Sequence, residues 1–225
     1  TLSANVGGNT TCSAGRLDNQ GGSSFIDTKG DVNLDAVNVG YQSNSILDNN
    51  NFYNQGASAD IGSQITGSND LLIKAGNNIS GTATSINSTN GGVGIIAQGN
   101  VDFKEGRSTN TLSTAVKTVD KGTFSTTKTQ DRLNAQSDTA ITSNIEGNTV
   151  SMQAGKNISL TGTKVASNFG TALTAGGDVS ILAAQNTPSK TSSSQVKKSG
   201  AFGTDGGMGF TIGKQQTDDS NASTS

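Results

Sequence analysis

The sequence predicts an all-β fold, a parallel β-helix, from the length of its strands, their spacing and the composition of the chain. Short runs of alternating polar and apolar residues recur, which is typical of strands with one buried face. Equivalent runs return after 21 or 22 residues, as in a chain that coils so that each turn stacks on the last. The 225 residues are 30% hydrophobic and 4% aromatic, with no Trp, so we expect a narrow core of small aliphatic side chains.

The predicted strands place apolar residues at every second position after a small polar residue. They stand at 31–34, 100–103, 157–160 and 178–181, and Gly precedes most of them, which suits a tight corner. At the usual spacing of stacked strands we expect about six coils. The side chains expected to point inward are Val32, Leu34, Leu71, Ile73, Ile79, Ile95, Val101, Phe103, Val150, Met152, Ile158, Leu160, Leu173, Val179 and Ile181.

One phrase, Ala-Gly-x-Asn-Ile-Ser, occurs at 75–80 and again at 154–159, which is 79 positions later. A β-helix explains the repetition, because the phrase is then one corner and one strand of a coil. We expect the side chains of Asn78 and Asn157 to hydrogen-bond to neighbouring coils. Asp31, Asp70 and Asp178 are interpreted as turn residues that cap local backbone amides.

Three segments break the rung pattern, at 38–63, 104–144 and 185–225 of what we expect to be a single β-helix fragment, 1–225, of a longer rod. Each has two strand-like arms around a turn, with tips at 48–50, 120–122 and 205–207. Successive excursions are two coils apart, about 9.6 Å, which is also the width of a hairpin. We therefore expect the hairpins to form an antiparallel sheet flanking the helix. An exposed edge within 186–217, near Phe202 and Phe210, is a candidate site of self-association.

Residue types limit the chemistry that this chain can perform. The absence of His and the single Cys12 exclude Ser-His-Asp and Cys-His arrangements, and Cys12 is expected to pack as a small hydrophobe. The repeated Gly- and Asp-rich nonapeptides with which solenoids bind calcium are represented only by scattered pieces. A net charge of −2 argues against a nucleic-acid partner. We expect no catalytic, cofactor-binding or metal site, and we predict that the segment is not an enzyme.

Six lysines lie within the excursions, and two interpretations apply to them. They could contact anionic glycans or lipid headgroups, but lysine on an exposed strand more often deters edge-to-edge aggregation, and we favour the second interpretation. The six are Lys117, Lys121, Lys128, Lys190, Lys197 and Lys198.

Several phrases resemble the haemagglutinin repeats of filamentous-haemagglutinin-type exoproteins, the secreted partners of two-partner secretion systems. They are Ala-Gly-Asn-Asn-Ile at 75–79, Ala-Gly-Lys-Asn-Ile-Ser-Leu-Thr-Gly-Thr at 154–163 and Ala-Gly-Gly-Asp-Val-Ser-Ile-Leu-Ala-Ala-Gln at 175–185. The resemblance implies a right-handed parallel β-helix and export from a Gram-negative cell through an outer-membrane secretion partner. It also implies a role at the cell surface in adhesion or contact-dependent growth inhibition, including toxin delivery, with a host- or target-cell receptor or glycan as partner.

Two other function classes are compatible with the sequence. A glycan-binding module and, with less support, a polysaccharide-degrading enzyme can both be built on a β-helix. Sugar sites usually combine aromatic rings with clustered polar or charged groups. Tyr41 and Tyr53 are the only Tyr residues of the chain and Trp is absent, so either function would have few aromatic rings with which to stack a sugar.

Overall fold

The computed structural model describes residues 1–203 and 210–224, and all of their regular structure consists of strands. The chain forms two compact units. The first contains residues 1–39, 58–108 and 139–186, and the second contains residues 40–57, 109–138 and 187–225.

The strands follow the chain in six coils, counted over the described residues. Coils one and two contain β1 (Leu2–Val6), β2 (Thr10–Ser13), β3 (Arg16–Asn19), β4 (Ser24–Thr28), β5 (Val32–Asp35), β6 (Val37–Asp48), β7 (Asn51–Ile61) and β8 (Gln64–Gly67). Coils three and four contain β9 (Leu71–Ala75), β10 (Ile79–Thr82), β11 (Ser85–Ser88), β12 (Val93–Ala97), β13 (Val101–Lys104), β14 (Gly106–Lys121), β15 (Ser125–Ile141) and the start of β16 (Ser143–Ala154). Coils five and six contain the rest of β16, then β17 (Ile158–Thr161), β18 (Thr163–Ala175), β19 (Val179–Leu182), β20 (Ser189–Gly203) and β21 (Phe210–Thr224).

The first unit is a parallel β-helix, which confirms the predicted fold class. Its strands form three stacks, and each strand pairs in parallel with its equivalents in the neighbouring coils. One stack is β2-β5-β10-β13-β17-β19. β16 and β18 each pass a corner and contribute to the other two stacks, with the register shifting between Gly147 and Thr149.

Columns of aligned side chains fill the core of this helix. Val32, Ile79, Val101 and Ile158 lie in register in successive coils and are fully buried. In the next column Phe103 pairs with Gly81, where an added Cβ would lie 2.6 Å from the Phe103 ring. The absence of a side chain at Gly81 therefore makes room for the largest buried residue of the core.

The structure confirms twelve of the fifteen side chains predicted to point inward, because these twelve are buried. Leu173 is half-buried and packs against the core. Val179 and Ile181 lie in register with the buried Ile158 and Leu160 and so point to the same side, but both are exposed. The reason is that β19 ends its stack, so that no described strand covers its outer side.

The second unit is the predicted sheet of paired hairpins. Its strand order is β21-β20-β15-β14-β7-β6, so the second arm of each hairpin pairs with the first arm of the next. β15 and β20 pair antiparallel, as do β20 and β21. The predicted edge within 186–217 is only partly right, because β20 is paired on both sides and β21 forms the edge.

The hairpin turns agree with two of the three predicted tips. Asn49 and Asn50 connect β6 to β7, where Asp48 Oδ1 accepts a hydrogen bond from the backbone N of Asn50 at 2.6 Å. The second turn follows Lys121, and the backbone N of Gly122 donates to Ser125 O at 2.8 Å. The predicted tip at 205–207 lies outside the described residues, as do the side chains of Phe202 and Phe210.

Candidate interaction surface

A ladder of side-chain hydrogen bonds follows one corner of the helix through all six coils. Asn78 Oδ1 accepts from the backbone N of Asn100 at 2.9 Å, and Asn157 Oδ1 accepts from the backbone N of Asp178 at 2.8 Å. This confirms the role predicted for Asn78 and Asn157. The ladder runs through Asn9, Asp31, Asn78, Asn100, Asn157 and Asp178.

The acidic corner residues also bond between coils, which corrects the prediction that they cap local amides. Asp31 Oδ1 accepts from the backbone N of Asn78 at 3.0 Å, and Asp70 Oδ1 accepts from the backbone N of Gly92 at 2.8 Å. Stacking places the next coil's amide within reach of each carboxylate. The two aspartates therefore contribute to the alignment of the coils.

A second corner holds a column of hydroxyl side chains that sequence reasoning missed. Ser143 Oγ donates to Lys104 O at 2.6 Å and accepts from the backbone N of Thr84 at 2.9 Å. Ser63 Oγ donates to Cys12 O, and Thr84 Oγ1 donates to Leu34 O. Ser63, Thr84 and Ser143 are fully buried, so they satisfy backbone groups that water cannot reach. The sequence pattern that could have predicted this column is a Ser or Thr two positions before Ile65, Ile86 and Ile145.

Cys12 packs as predicted. It is half-buried, lies against the hydrophobic core and is a free thiol.

The edge strand β6 of the second unit exposes apolar side chains. All twelve of its residues are exposed, and only β7 pairs with it among the described strands. Its large apolar side chains include Val39, Tyr41, Ile46 and Leu47, the last of which is 85% exposed. An apolar edge with unpaired backbone groups can accept another strand.

Both tyrosines line one cavity of about 280 Å³ in the second unit. The Tyr53 hydroxyl donates to Gln55 Oε1 at 2.8 Å. A further cavity of about 330 Å³ shares Gln55, Thr111 and Gln136 with the first and extends to Thr191 on β20. All the residues that line the two cavities are uncharged, and amides and hydroxyls predominate among them.

The lysines singled out in the sequence lie on interior strands of the sheet. Lys117 and Lys121 are on β14, Lys128 is on β15, and Lys190, Lys197 and Lys198 are on β20. Each of these strands is paired on both sides. The interpretation that they protect an exposed edge is therefore wrong. A cavity of about 330 Å³ is lined by Lys128, Lys197, Lys198, Ser199, Lys214, Gln215 and Gln216.

Two aspartates of the sheet are held in the ionised form by their neighbours. The Asn51 amide, followed by the backbone N of Asn50, lowers the pKa of Asp48. The amides of Gln216 and Gln195, with a smaller effect of Lys197, lower the pKa of Asp218. Both carboxylates therefore act as hydrogen-bond acceptors down to a lower pH than an ordinary aspartate.

Neither a metal cluster nor a spanning helix is found in residues 1–203 and 210–224. No group of three or more Cys, Asp and Glu side chains in this part of the chain could hold a metal ion. The same residues contain no helix with the length and apolarity that crossing a bilayer requires.

Comparison with known proteins confirms the resemblance to haemagglutinin-repeat exoproteins. Residues 123–225 match the family model described as Hemagglutinin repeat. No solved structure matches the chain significantly.

Curated relatives match over different lengths of the chain. It is 33% identical over 132 residues, 55% of the chain, to a tRNA nuclease CdiA of Escherichia coli. It is 27% identical over 228 residues, 98% of the chain, to tRNA nuclease CdiA-2 of Burkholderia pseudomallei. A 73-residue stretch, 32% of the chain, is 42% identical to 16S rRNA endonuclease CdiA of Enterobacter cloacae subsp. cloacae. The matches span 4, 7 and 2% of these relatives' lengths, respectively.

Proposed function

We propose that this chain, whose residues 123–225 match the haemagglutinin-repeat family model, is a segment of the rod of a large secreted exoprotein. In this proposal the exoprotein is exported through an outer-membrane secretion partner and stands on the surface of a Gram-negative cell. The segment has no catalytic role and holds an adhesive or toxic element away from the producing cell. The observation that carries the proposal is the unbroken parallel ladder through six coils.

The ladder supports a mechanical role because it repeats the same contacts in every coil. Backbone bonds, the corner ladder of Asn and Asp side chains and the core columns all join each coil to the next. Stability is then distributed along the axis, and each coil adds about 4.8 Å of length. Such an element can be lengthened or shortened by whole repeats without a change in its cross-section.

Two deletions in the full-length exoprotein, which differ by one residue, test this role. Removing residues 79–157 joins Asn78 to Ile158 and leaves the inward side chains in register, because the two strands are equivalent. We expect this exoprotein to reach the cell surface and retain the activity of its distal element. Removing residues 79–158 joins Asn78 to Ser159 and turns every following side chain to the wrong face. We expect it to be degraded or retained.

The measurement is protease accessibility of the exoprotein on intact cells, together with adhesion to or inhibition of target cells. If the in-register deletion is displayed but inactive, this segment performs the binding or the chemistry itself. Equal display of both exoproteins would show that the register of the coils does not matter.

A glycan-binding module is the second candidate, and the cavity with Tyr41 and Tyr53 favours it. Aromatic rings beside amide and hydroxyl groups are a common arrangement for neutral sugars. Selective binding on a neutral glycan array that is lost in a Tyr41→Ala/Tyr53→Ala variant would support this candidate. Turnover of a polysaccharide by the purified chain would support the enzyme alternative.

We also propose that the chain self-associates through the two edges of its antiparallel sheet. The second arms β7 and β15 pair with the first arms β14 and β20. Among the described strands, this leaves a first arm, β6, and a second arm, β21, as the edges of the sheet. The β21 edge of one molecule is therefore suited to the β6 edge of another. Such pairing would continue head to tail.

Sedimentation velocity over a range of concentrations tests the edge pairing. We expect Leu47→Lys, on β6, to weaken association roughly tenfold, because it puts a charge on the apolar edge. Phe169→Lys is the matched control, since Phe169 is 81% exposed and lies on β18 in the first unit. Association that persists in Leu47→Lys but fails in Phe169→Lys would assign the contact to the helix.

A further inference from the structure

Three lysines on adjacent strands of the second unit share one face of the sheet. Lys128 on β15 stands directly opposite Lys197 on β20. Ser199, two residues along β20 from Lys197, stands opposite Lys214 on β21. Cross-strand partners and residues two apart lie on the same face, so Lys128, Lys197 and Lys214 point to the same side. All three are exposed and line the cavity of about 330 Å³.

The same face carries two more lysines on β14. Ser113 Oγ lies 2.6 Å from Asn134 Oδ1, which places odd-numbered residues of β14 on the face of even-numbered residues of β15. Lys117 and Lys121 therefore share the face of Lys128. The positive face extends over β14, β15, β20 and β21.

Few carboxylates compensate for this charge. The Asn51 amide is the main cause of the lowered pKa of Asp48, and the Gln216 amide is the main cause of the lowered pKa of Asp218. Lys117 and Lys197 add smaller effects, so each aspartate has a lysine nearby. Among the described residues, the salt bridges are those of Arg16, Arg107 and Lys164, and none involves these five lysines. By the same alternation Arg132 and Asp138 of β15 also lie on this face, so six cationic groups stand against at most three carboxylates and leave the face positive.

This arrangement is unfavourable without a ligand. Like charges directly opposite each other destabilise a sheet. Edge protection does not explain Lys128 and Lys197, because both lie on interior strands. Of the two edge strands of the described sheet, β6 has no lysine and β21 carries Lys214. A bound anion would remove the repulsion between the ammonium groups. Gln216 shares their face, and its amide nitrogen, which donates one hydrogen bond to Asp218, has a second N–H that could donate to the anion.

We propose that this cavity binds the sulfate or phosphate groups of a polyanionic saccharide. Lys128, Lys197 and Lys214 contact one anionic group, and Lys117 and Lys121 attract further groups of the same polymer. The row of charges across four strands suits a chain of anionic groups better than a single ion. The proposal is independent of the rod function and of the uncharged tyrosine cavity.

The experiment measures the affinity of the purified chain for dextran sulfate, with unmodified dextran, inorganic phosphate and phosphatidylglycerol vesicles as separate probes. We expect binding to dextran sulfate that weakens as salt is added, and no binding to dextran. The triple variant Lys128→Gln/Lys197→Gln/Lys214→Gln should raise the Kd about tenfold or more. The matched triple variant Lys74→Gln/Lys104→Gln/Lys156→Gln also removes three exposed lysines, but from the first unit.

The matched variant should change the Kd by less than about twofold. Both triple variants lose the same net charge, and therefore the same non-specific attraction, but only the first loses lysines of the cavity. An equal loss in the two triple variants would overturn the proposal, as would binding to the vesicles without binding to dextran sulfate. Phosphate that competes with dextran sulfate only at very high concentration would support a polymer site. A circular dichroism melt checks that the sheet is retained, and the single variant Lys214→Gln gives a second, milder measurement.

Discussion

Replacing Ile158 with aspartate should leave the first unit unfolded at room temperature. A thermal melt of this variant should therefore show no cooperative transition. Ile158 is fully buried and pairs with Val101 on one side and Val179 on the other. The new carboxylate would have only apolar neighbours in its column, and a buried, unpaired charge is among the most destabilising changes known. We expect a loss of about 4 kcal/mol or more in the free energy of unfolding.

Val179→Asp is the matched control for this prediction. Val179 stands next to Ile158 in the same column, but its side chain is 45% exposed. The new carboxylate would remain hydrated, so the melting temperature followed by circular dichroism should change only slightly. Similar melting of the two variants would show that burial does not determine the stability of this column.

The repeating part of the fold could be predicted because each repeat has the same local chemistry. A polar corner residue followed directly by Ile or Val marks β10, β13, β17 and β19. The spacing of these strands then requires that they stack. The pairing of the hairpins could also be predicted from spacing. Successive hairpins are two coils apart, and this distance equals the width of one two-stranded hairpin.

Features that depend on contacts between distant residues could not be predicted. The stack that contains β8, β11 and the start of β16 was not predicted. Each of these strands buries only one large apolar side chain there, namely Ile65, Ile86 or Ile145, so no alternating pattern marks them in the sequence. The need for glycine at position 81 likewise depends on the register that pairs it with Phe103.

The candidate interaction surface shows the same limit. The lysines were visible in the sequence, but which of them share a face depends on the register between β15, β20 and β21. The joining of Tyr41 and Tyr53 in one cavity likewise depends on how the hairpin folds. Whether a strand is an edge or an interior strand is a property of the whole sheet, which is why edge protection was the wrong interpretation of the lysines.

We expect the second large effect on the free energy of unfolding from a substitution of Gly155, the glycine of the repeated Ala-Gly-x-Asn-Ile-Ser phrase. The backbone N of Gly155 donates to Ala97 O of the coil below at 2.9 Å, and a Cβ on Gly155 would collide with Gln98 O. The equivalent Gly76 approaches Lys29 O in the same way. Glycine allows this close approach of two backbones, which no other residue can make without displacing a coil.

Gly155→Ala should therefore lower the free energy of unfolding by about 3 kcal/mol, because the two coils must separate or the corner must distort. Gly7 occupies the same corner position in the first coil and has no heavy atom within 4 Å of the place a Cβ would take. Gly7→Ala should leave stability unchanged or raise it slightly, since it restricts the unfolded chain. Urea unfolding of the two variants makes the comparison, and equal midpoints would mean that the corners of the helix can move apart without cost.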